Sequence, residues 1–171
     1  PSNGSSGFEY VDLNEDGYRD ILYTAGDNAD FPPILKPYHG IYGFLNNGNG
    51  TFRKAFFYYL PGAYKALAHD YDQDGDLDIA AISFFPDYDA GAQQSFGFLE
   101  TEGGFDFTAH TFKDAIRGRW ISMDAADYDA DGDIDLVLGN LAFEVIGHDH
   151  LVTRWTSEGL PFLILKNNEG E

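Results

Sequence analysis

Short apolar segments separated by polar, glycine-rich turns follow one another along the chain. In its middle part, residues 64–69 alternate loosely, residues 77–84 form a near-continuous apolar run, and residues 95–100 and 105–112 are two further apolar segments. Segments of this length, rich in β-branched and aromatic residues and bounded by Gly, Asn and Asp, are typical of β-strands. The pattern therefore predicts a unit of four antiparallel strands over about residues 61–116.

The same order of segments occurs on both sides of this unit, and no convincing helical pattern is found. The preceding repeat, over about residues 4–60, has predicted strands at 8–11, 21–23, 41–46 and 51–59. The following repeat, over about residues 117–171, has predicted strands at 120–125, 134–138 and 162–166 and stops before a fourth. The long segment from about residue 140 to 160 is interpreted as a loop.

A four-stranded sheet that recurs about every 55–60 residues is typical of a β-propeller blade, because one sheet cannot bury both of its faces alone. The alternative is three tandem β-sandwich modules, which would be too small at this length. We therefore predict an all-β chain of about three four-stranded antiparallel blades, the last incomplete, forming a single propeller segment over residues 1–171.

An acidic segment of fixed spacing connects the first two predicted strands of each repeat. Loop 1 is residues 12–20, loop 2 is residues 70–78 and loop 3 is residues 127–135, and their starts lie 58 and 57 residues apart. Each follows the pattern Asp-x-Asp/Asn-x-Asp-Gly-x-x-Asp, and together they hold nearly half of the 29 acidic residues. Without a cation, each loop would crowd several like charges into one turn.

This spacing predicts calcium sites, since oxygen atoms at alternate positions of a tight loop can converge on one ion and Ca²⁺ takes six to eight oxygens. Mg²⁺ is less suited, because it prefers fewer protein ligands and more water. The predicted ligands are the side chains of Asp12, Asn14, Asp16 and Asp20 with the carbonyl of Tyr18; of Asp70, Asp72, Asp74 and Asp78 with the carbonyl of Asp76; and of Asp127, Asp129, Asp131 and Asp135 with the carbonyl of Asp133. We expect about three Ca²⁺ ions, one in each loop, with weaker binding in loop 1 because Asn14 is neutral.

The loops are not EF-hands. Position twelve, where an EF-hand has a bidentate Glu, holds Tyr23, Ala81 and Leu138. The segments that follow are also β-like, so the final Asp of each loop is expected at the start of a strand.

The three acidic loops, together with the matching turn segments 44–50, 98–104 and 164–170, resemble FG-GAP/VCBS repeats, including those of the integrin α-subunit propeller. The resemblance implies a propeller, commonly seven-bladed, with calcium loops between the first two strands of each blade. It also implies an extracellular or cell-surface location and a role in adhesion. Because fewer than three full blades are present, we expect further blades from the same longer chain or from other copies.

The resemblance further implies that partners bind on the face opposite the calcium loops, where the second and third strands of each blade are connected. These connections are long and carry aromatic residues, including Phe-Pro-Pro at 31–33. The candidate ligand-binding residues are Tyr38, His39, Phe85, Tyr88, His148, His150 and Trp155. Alternatively, these aromatics pack onto the edge of the propeller. His148 and His150 could also bind a transition metal with Asp149, or be solvated.

Composition narrows the range of functions. The 10 Lys and Arg residues against 29 Asp and Glu give a formal net charge of −19, which disfavours binding to nucleic acid and to anionic membranes. There is no cysteine, so disulfides, zinc–thiolate sites and iron–sulfur clusters are excluded. No apolar run approaches the roughly 18 residues of a membrane helix, so we expect no membrane insertion.

These features favour a non-catalytic, calcium-stabilised extracellular module that binds a protein or carbohydrate ligand. One alternative is the propeller part of a polysaccharide lyase or hydrolase, but no motif for a nucleophile, a catalytic zinc or a phosphate loop is present. The other is a structural spacer in a large surface protein. Exposed, clustered loop aromatics would favour binding over spacing.

Overall fold

The structure, a computed structural model, describes residues 4–28, 34–91, 94–142, 145 and 147–168. Its strands form three antiparallel sheets that follow one another along the chain. Sheet 1 contains β1 (Ser5–Val11), β2 (Asp20–Ala25), β3 (Gly40–Asn46) and β4 (Phe52–Tyr59). Sheet 2 contains β5 (Ala63–His69), β6 (Asp78–Ser83), β7 (Phe96–Thr101) and β8 (Phe107–His110). Sheet 3 contains β9 (Trp120–Ala126), β10 (Asp135–Asn140) and β11 (Phe162–Leu165).

Each sheet is a simple meander in which consecutive strands pair, as in a propeller blade. The order is β1-β2-β3-β4 in the first sheet and β5-β6-β7-β8 in the second, and β10 lies between β9 and β11 in the third. The all-β prediction with propeller-like blades is therefore confirmed. We call the sheets blade 1, blade 2 and blade 3.

One α-helix departs from the prediction that the chain has no helix. Helix α1 (Asp149–Glu158) lies between β10 and β11, in the segment interpreted as a loop. It buries Leu151 and Trp155, which are four residues apart and so share one helix face. Gly159 ends the helix in the left-handed conformation at φ 59°, where its N–H donates to the carbonyl of Trp155.

Consecutive blades pack face to face and bury two apolar clusters. Between blades 1 and 2, Leu22, Ile41 and Phe56 pack with Ile79 and Leu99. Between blades 2 and 3, the cluster comprises Leu67, Tyr71, Ala80, Ile82, Phe96, Ala115, Trp120, Met123, Leu136 and Leu138. The sheets therefore bury each other's apolar faces, as stacked repeats do.

The opposite face of blade 1 carries exposed aromatic rings. Phe8 and Tyr10 on β1 are 68% and 57% exposed, and their rings meet edge to face with centroids 5.7 Å apart. The equivalent positions in blade 2, counted back from the first Asp of each loop, are Ala66 and Ala68, which are buried against blade 1. The face of blade 1 that has no neighbour among the described residues is thus bulkier than the corresponding face of blade 2.

Candidate metal centre

The three acidic loops share one backbone conformation. In each, the fourth and sixth residues have positive φ. The φ angles are 57°, 59° and 62° at Glu15, Gln73 and Ala130, and 87°, 101° and 103° at Gly17, Gly75 and Gly132. A non-glycine residue in this region is uncommon. Because it occurs at the same position with three different side chains, the loop conformation is imposed by the turn as a whole.

Backbone N–H groups hold the carboxylates of each loop in place. The first Asp accepts a hydrogen bond from the N–H of the sixth-position glycine, at 2.9, 3.2 and 3.1 Å in loops 1, 2 and 3. The fifth-position Asp accepts from the N–H of the seventh residue; the three pairs are Asp16–Tyr18, Asp74–Asp76 and Asp131–Asp133, at 2.9, 2.9 and 3.2 Å. The acidic side chains therefore face the inside of the turn, as a cation-binding loop requires.

The last Asp of each loop is buried at the start of the second strand, as the sequence predicts. Asp20, Asp78 and Asp135 are 0%, 1% and 2% exposed. One oxygen of each accepts a hydrogen bond from a backbone N–H at or just after the end of the third strand, from Asn46, Thr101 and Asn167 at 2.8, 2.9 and 2.8 Å. This bond fixes the loop to the blade.

Strand pairing corrects the match between the turn segments by one residue. The sequence match places Asn46 with Glu100 and Lys166. The register pairs Ile21 with Phe44, Ile79 with Leu99 and Leu136 with Leu165, so the residues that follow at equal distance are Asn46, Thr101 and Asn167. Sequence similarity alone misses this shift because Asn and Gly recur at neighbouring turn positions.

Carboxylate oxygens converge in two of the loops. Asp70, Asp72 and Asp74 of loop 2 each offer an oxygen, and these oxygens lie within 4.8 Å of one another. The corresponding set in loop 3 is Asp127, Asp129 and Asp135, without Asp131. In loop 1 the neutral amide of Asn14 donates to Asp16 Oδ2 at 3.0 Å. The clusters in loops 2 and 3 could hold a metal ion.

Loop 2 contains a buried carboxylate oxygen without a donor. Asp70 Oδ1 has no hydrogen-bond partner among the described residues. The last Asp of each loop faces the backbone N–H of the second loop residue: the N–H groups of Leu13 and Tyr128 donate to Asp20 Oδ2 and Asp135 Oδ2 at 2.8 and 3.2 Å, and the Tyr71 N–H lowers the pKa of Asp78. A buried carboxylate oxygen without a donor is costly. The oxygen ligands of loop 2 therefore suit a hard divalent cation.

Electrostatics also separate loop 2 from loop 3. Burial raises the pKa of Asp78 to about 6, and the charges of Asp72 and Asp74 add to the rise, although the N–H groups of Thr101 and Tyr71 oppose it. Burial also raises the pKa of Asp72, together with the charges of Asp74 and Asp70. In loop 3, the hydrogen bond from the Asp133 N–H and the ammonium of Lys166 lower the pKa of Asp131. Loop 3 thus has a lysine ammonium beside its carboxylates, whereas in loop 2 burial and neighbouring carboxylates raise the pKa of Asp72 and Asp78.

Two contacts that the sequence does not reveal join loops 2 and 3. Gln73 Nε2 donates to Asp133 Oδ1 at 2.6 Å, and Asn167 Nδ2 donates to the carbonyl of Tyr71 at 2.6 Å. Gln73 occupies an "x" position of the motif, and Asn167 lies 96 residues from Tyr71 along the chain. Only the stacking of blades 2 and 3 brings these groups together.

On the predicted ligand face, four of the seven candidate residues are buried. His39, Phe85, Tyr88 and Trp155 are 0%, 3%, 9% and 1% exposed. Their rings pack inside the protein, which corrects the expectation that they offer surface to a ligand. Tyr38 and His148 are half-buried and His150 is exposed. Residues 31–33 lie outside the described residues.

The buried loop residues hold α1 against the blades. The indole N–H of Trp155 donates to the carbonyl of Ile116 at 2.9 Å, and the ring of Tyr88 lies 6.0 Å from that of Trp155. The guanidinium of Arg119 lies 3.8 Å from the ring centre of Phe84 and 5.2 Å from that of Phe85. These contacts give the aromatics a structural role.

The histidines of this face do not form a metal cluster with Asp149. The rings of His148 and His150 are 6.0 Å apart. Within residues 4–28, 34–91, 94–142, 145 and 147–168, the converging groups of metal-binding side chains lie in loops 2 and 3.

The helical segment α1 that the structure describes is too short to cross a membrane.

Comparison with known proteins agrees with this geometry. Residues 12–81 match the family model of the FG-GAP-like repeat. The matched segment begins at the first Asp of loop 1 and contains all of loop 2. A search of curated protein sequences finds no match. The resemblance recognised from the acidic loops is confirmed over residues 12–81, which are similar to the FG-GAP-like repeat and lie within a series of propeller-like blades.

Proposed function

We propose that the chain is a calcium-binding, calcium-stabilised β-propeller module of an extracellular or cell-surface protein, and that it binds a protein or carbohydrate ligand without catalysis. The observation that carries the calcium assignment is the buried, donor-free oxygen Asp70 Oδ1 in loop 2, which belongs to a set of three converging carboxylates, those of Asp70, Asp72 and Asp74. The FG-GAP-like repeat in the same segment supports it.

The ligand sets would be those that the spacing predicts, with the strongest case in loop 2. There, the side chains of Asp70, Asp72, Asp74 and Asp78 and the carbonyl of Asp76 would hold the ion. When bound, Ca²⁺ would cancel the charge of the loop and fix the connection between the first two strands of the blade. An affinity of about 10⁻⁴–10⁻³ M is common for extracellular modules and would suit that setting.

A thermal melt tests the calcium assignment. The melting temperature should rise on adding millimolar Ca²⁺ to protein stripped with a chelator, and should rise less with Mg²⁺. In calcium, Asp74→Ala and Asp131→Ala should lower the melting temperature more than Asp149→Ala, which removes an exposed carboxylate from α1. Identical melts with Ca²⁺ and with chelator would refute the assignment.

The exposed face of blade 1 favours a further blade as its binding partner. Phe8 and Tyr10 expose apolar rings on a sheet face whose counterpart in blade 2 is buried against its neighbour. A further blade, from a longer chain or from another copy, would cover that face. Sedimentation velocity at increasing protein concentration would detect self-association, and Phe8→Ser with Tyr10→Ser should abolish it.

A structural spacer is a second candidate function, and the burial of the loop aromatics favours it. Phe85, Tyr88 and Trp155 use their rings to pack the connections between strands. Binding to a panel of immobilised glycans and extracellular matrix proteins distinguishes the two. Calcium-dependent binding supports the ligand-binding module, whereas calcium-stabilised folding without any binding supports the spacer.

A further inference from the structure

The ammonium of Lys166 binds two carboxylates of loop 3. Its Nζ lies 2.7 Å from Asp129 Oδ2 and 3.2 Å from Asp131 Oδ2. These are the third and fifth positions of the acidic motif, the positions that Asp72 and Asp74 hold in loop 2. The side-chain ammonium of Lys166 thus contacts two of the predicted calcium ligands.

The arrangement of carboxylates differs between the two loops accordingly. In loop 2 the oxygens of the first, third and fifth positions converge, including that of Asp74. In loop 3 the converging set contains Asp129 but not Asp131. One Asp131 oxygen accepts from the Asp133 N–H and the other binds Lys166. The carboxylate of Asp131 is therefore occupied by internal partners.

The other two blades have no cationic side chain at the equivalent position. The strand register places Leu45 of blade 1 and Glu100 of blade 2 at the position of Lys166. Leu45 is buried in the apolar interior, and Glu100 is an anion that pairs with His110 at 2.8 Å. Neither residue can neutralise its acidic loop, so the internal cation is specific to blade 3 among the three.

We propose that Lys166 is an internal competitor for the cation of loop 3, so that loop 3 binds Ca²⁺ more weakly than loop 2. The inference rests on the proposed calcium-binding function and deepens it. Because the ammonium of Lys166 holds one oxygen of each of these two carboxylates, Ca²⁺ competes with it for those oxygens. Loop 2 therefore fills at lower calcium concentrations than loop 3.

The exposure of the ion pair sets the size of the effect. The side chains of Lys166 and Asp131 are 43% and 36% exposed, so water screens their attraction. Two exposed charge contacts together correspond to a factor of about 3 to 10 in an equilibrium constant. We therefore expect Lys166→Met to tighten calcium binding at loop 3 by about 3- to 10-fold and to leave loop 2 unchanged.

Calorimetric titration of the chelator-stripped chain with Ca²⁺ tests the proposal. With loop 1 weakened by Asp12→Asn in every variant, Asp70→Asn leaves loop 3 to be measured and Asp127→Asn leaves loop 2. Lys166→Met should tighten binding in the Asp70→Asn background and have no effect in the Asp127→Asn background. The matched control is Lys113→Met, which removes the same charge from an exposed site outside the loops and should change neither affinity more than about 2-fold.

The outcomes separate this inference from the function on which it rests. If the wild-type chain binds no Ca²⁺ at any loop, and Lys166→Met does not create binding, both proposals fail. If the wild type binds Ca²⁺ but Lys166→Met leaves loop 3 unchanged, only the competitor role is wrong. A melt in chelator provides a readout without calcium: Lys166→Met should melt at a lower temperature than Lys113→Met, because the loop 3 carboxylates lose their counterion.

Discussion

The side-chain amide of Gln73 donates a 2.6 Å hydrogen bond to Asp133 Oδ1, and this contact joins the acidic loop of blade 2 to that of blade 3. Gln73 occupies the positive-φ position of its loop, and Asp133 contributes its backbone carbonyl to the predicted ligands of the next loop. A cation that orders either loop therefore also orders one partner of this bond. The two sites are adjacent parts of one surface.

Replacing Gln73 with alanine should weaken the contact between blades 2 and 3 without changing either loop's backbone. Ala130 already takes the same position in loop 3 at φ 62°, so alanine fits this conformation. We expect the free energy of unfolding in saturating calcium to fall by about 1 kcal/mol, as for one hydrogen bond to a charged acceptor at the surface. Urea unfolding followed by fluorescence measures it.

The control for this prediction is Glu15→Ala, at the same position of loop 1. The side chain of Glu15 is exposed in blade 1, so its removal should change the unfolding free energy by less than about 0.5 kcal/mol. Equal losses in the two variants would show that the bond between Gln73 and Asp133 does not contribute to stability.

The effect of Asp74→Asn on the free energy of unfolding should reverse in sign when calcium is added. In chelator, the variant should be as stable as the wild type or more so, since one of several crowded like charges is removed while the amide oxygen can still accept from the Asp76 N–H. At calcium concentrations 10- to 30-fold above the dissociation constant, it should lose about 1.4–2 kcal/mol, the binding free energy that it no longer gains. Paired urea unfolding curves in the two buffers measure the reversal.

Asp149→Asn is the matched control, because Asp149 is an exposed carboxylate in the first turn of α1. The substitution removes a charge that interacts favourably with the helix dipole. It should lower the free energy of unfolding by about 0.3–1 kcal/mol, by the same amount in both buffers. If Asp74→Asn showed the same loss with and without calcium, its carboxylate would not be a metal ligand.

The elements of the blades could be predicted because each leaves a local pattern. β6 (Asp78–Ser83) is a continuous apolar run after an acidic loop, and β3 (Gly40–Asn46) ends at an Asn- and Gly-rich turn. The acidic loops could be predicted because three spaced copies of one motif leave little room for chance. The sequence pattern does not reveal the register between the second and third strands of each blade, because the register depends on the hydrogen bonds between those strands.

Helix α1 was missed because its residues favour helix only weakly. Val152, Thr153 and Thr156 are β-branched, and Trp155 also has modest helix propensity. The helix is stabilised by burial of Leu151 and Trp155 and by the pair of Arg154 with Glu158 at 2.7 Å. The available signal was Leu151 and Trp155 at a spacing of four, followed by a glycine that can end a helix.

Residues far apart in sequence determine the remaining features of the site. Lys166 reaches loop 3 from beyond β11, and Gln73 reaches it from blade 2. Burial of Tyr88 depends on α1, which was not expected. Each case depends on how the blades stack, and composition and spacing carry no information about it.

Gly26 should be among the least replaceable residues where blades 1 and 2 meet. A Cβ at this position would lie 2.2 Å from backbone atoms of Gly62 and Ala63, which cannot move independently of the blade. We expect Gly26→Ala to cost about 3 kcal/mol or more in unfolding free energy. A urea denaturation curve measures the loss.

The contrasting variant is Gly97→Ala on β7. Among the described residues nothing lies within 4 Å of a Cβ at Gly97. Alanine should therefore be tolerated and should stabilise the chain by about 0.5–1 kcal/mol through the lower entropy of the unfolded state. If Gly26→Ala lowered the free energy of unfolding no more than Gly97→Ala does, the close contact of the two blades would be contradicted.

His39 should make folding sensitive to mild acid. The residue is 0% exposed, and neither ring nitrogen has a hydrogen-bond partner among the described residues. Burial lowers the pKa of His39; the positive charge of Lys36 lowers it further, and the negative charge of Asp27 opposes this. The folded protein therefore resists protonation of a ring that the unfolded chain protonates at its ordinary pKa near 6.5.

The direction of the pH effect follows from this difference in proton binding. Above about pH 6.5 both states carry a neutral ring, so the full stability is present. As the pH falls below that value, the unfolded state binds a proton that the folded state does not, and stability is lost at up to about 1.4 kcal/mol per pH unit. Stability should keep falling until the pH reaches the lowered pKa of the folded state.

The comparison of wild type with His39→Leu isolates this contribution from the other four histidines of the chain. Unfolding free energies in saturating calcium should be measured at about pH 8 and about pH 5.5, a window that lies above the ordinary pKa range of carboxylates. The contribution of Asp78, whose pKa burial raises to about 6, is common to both proteins and cancels in the comparison. The absolute stability of the variant is immaterial, since only the difference between the two pH values enters. A smaller loss in His39→Leu than in the wild type means that the buried neutral ring is a source of acid sensitivity, and equal losses mean that it is not.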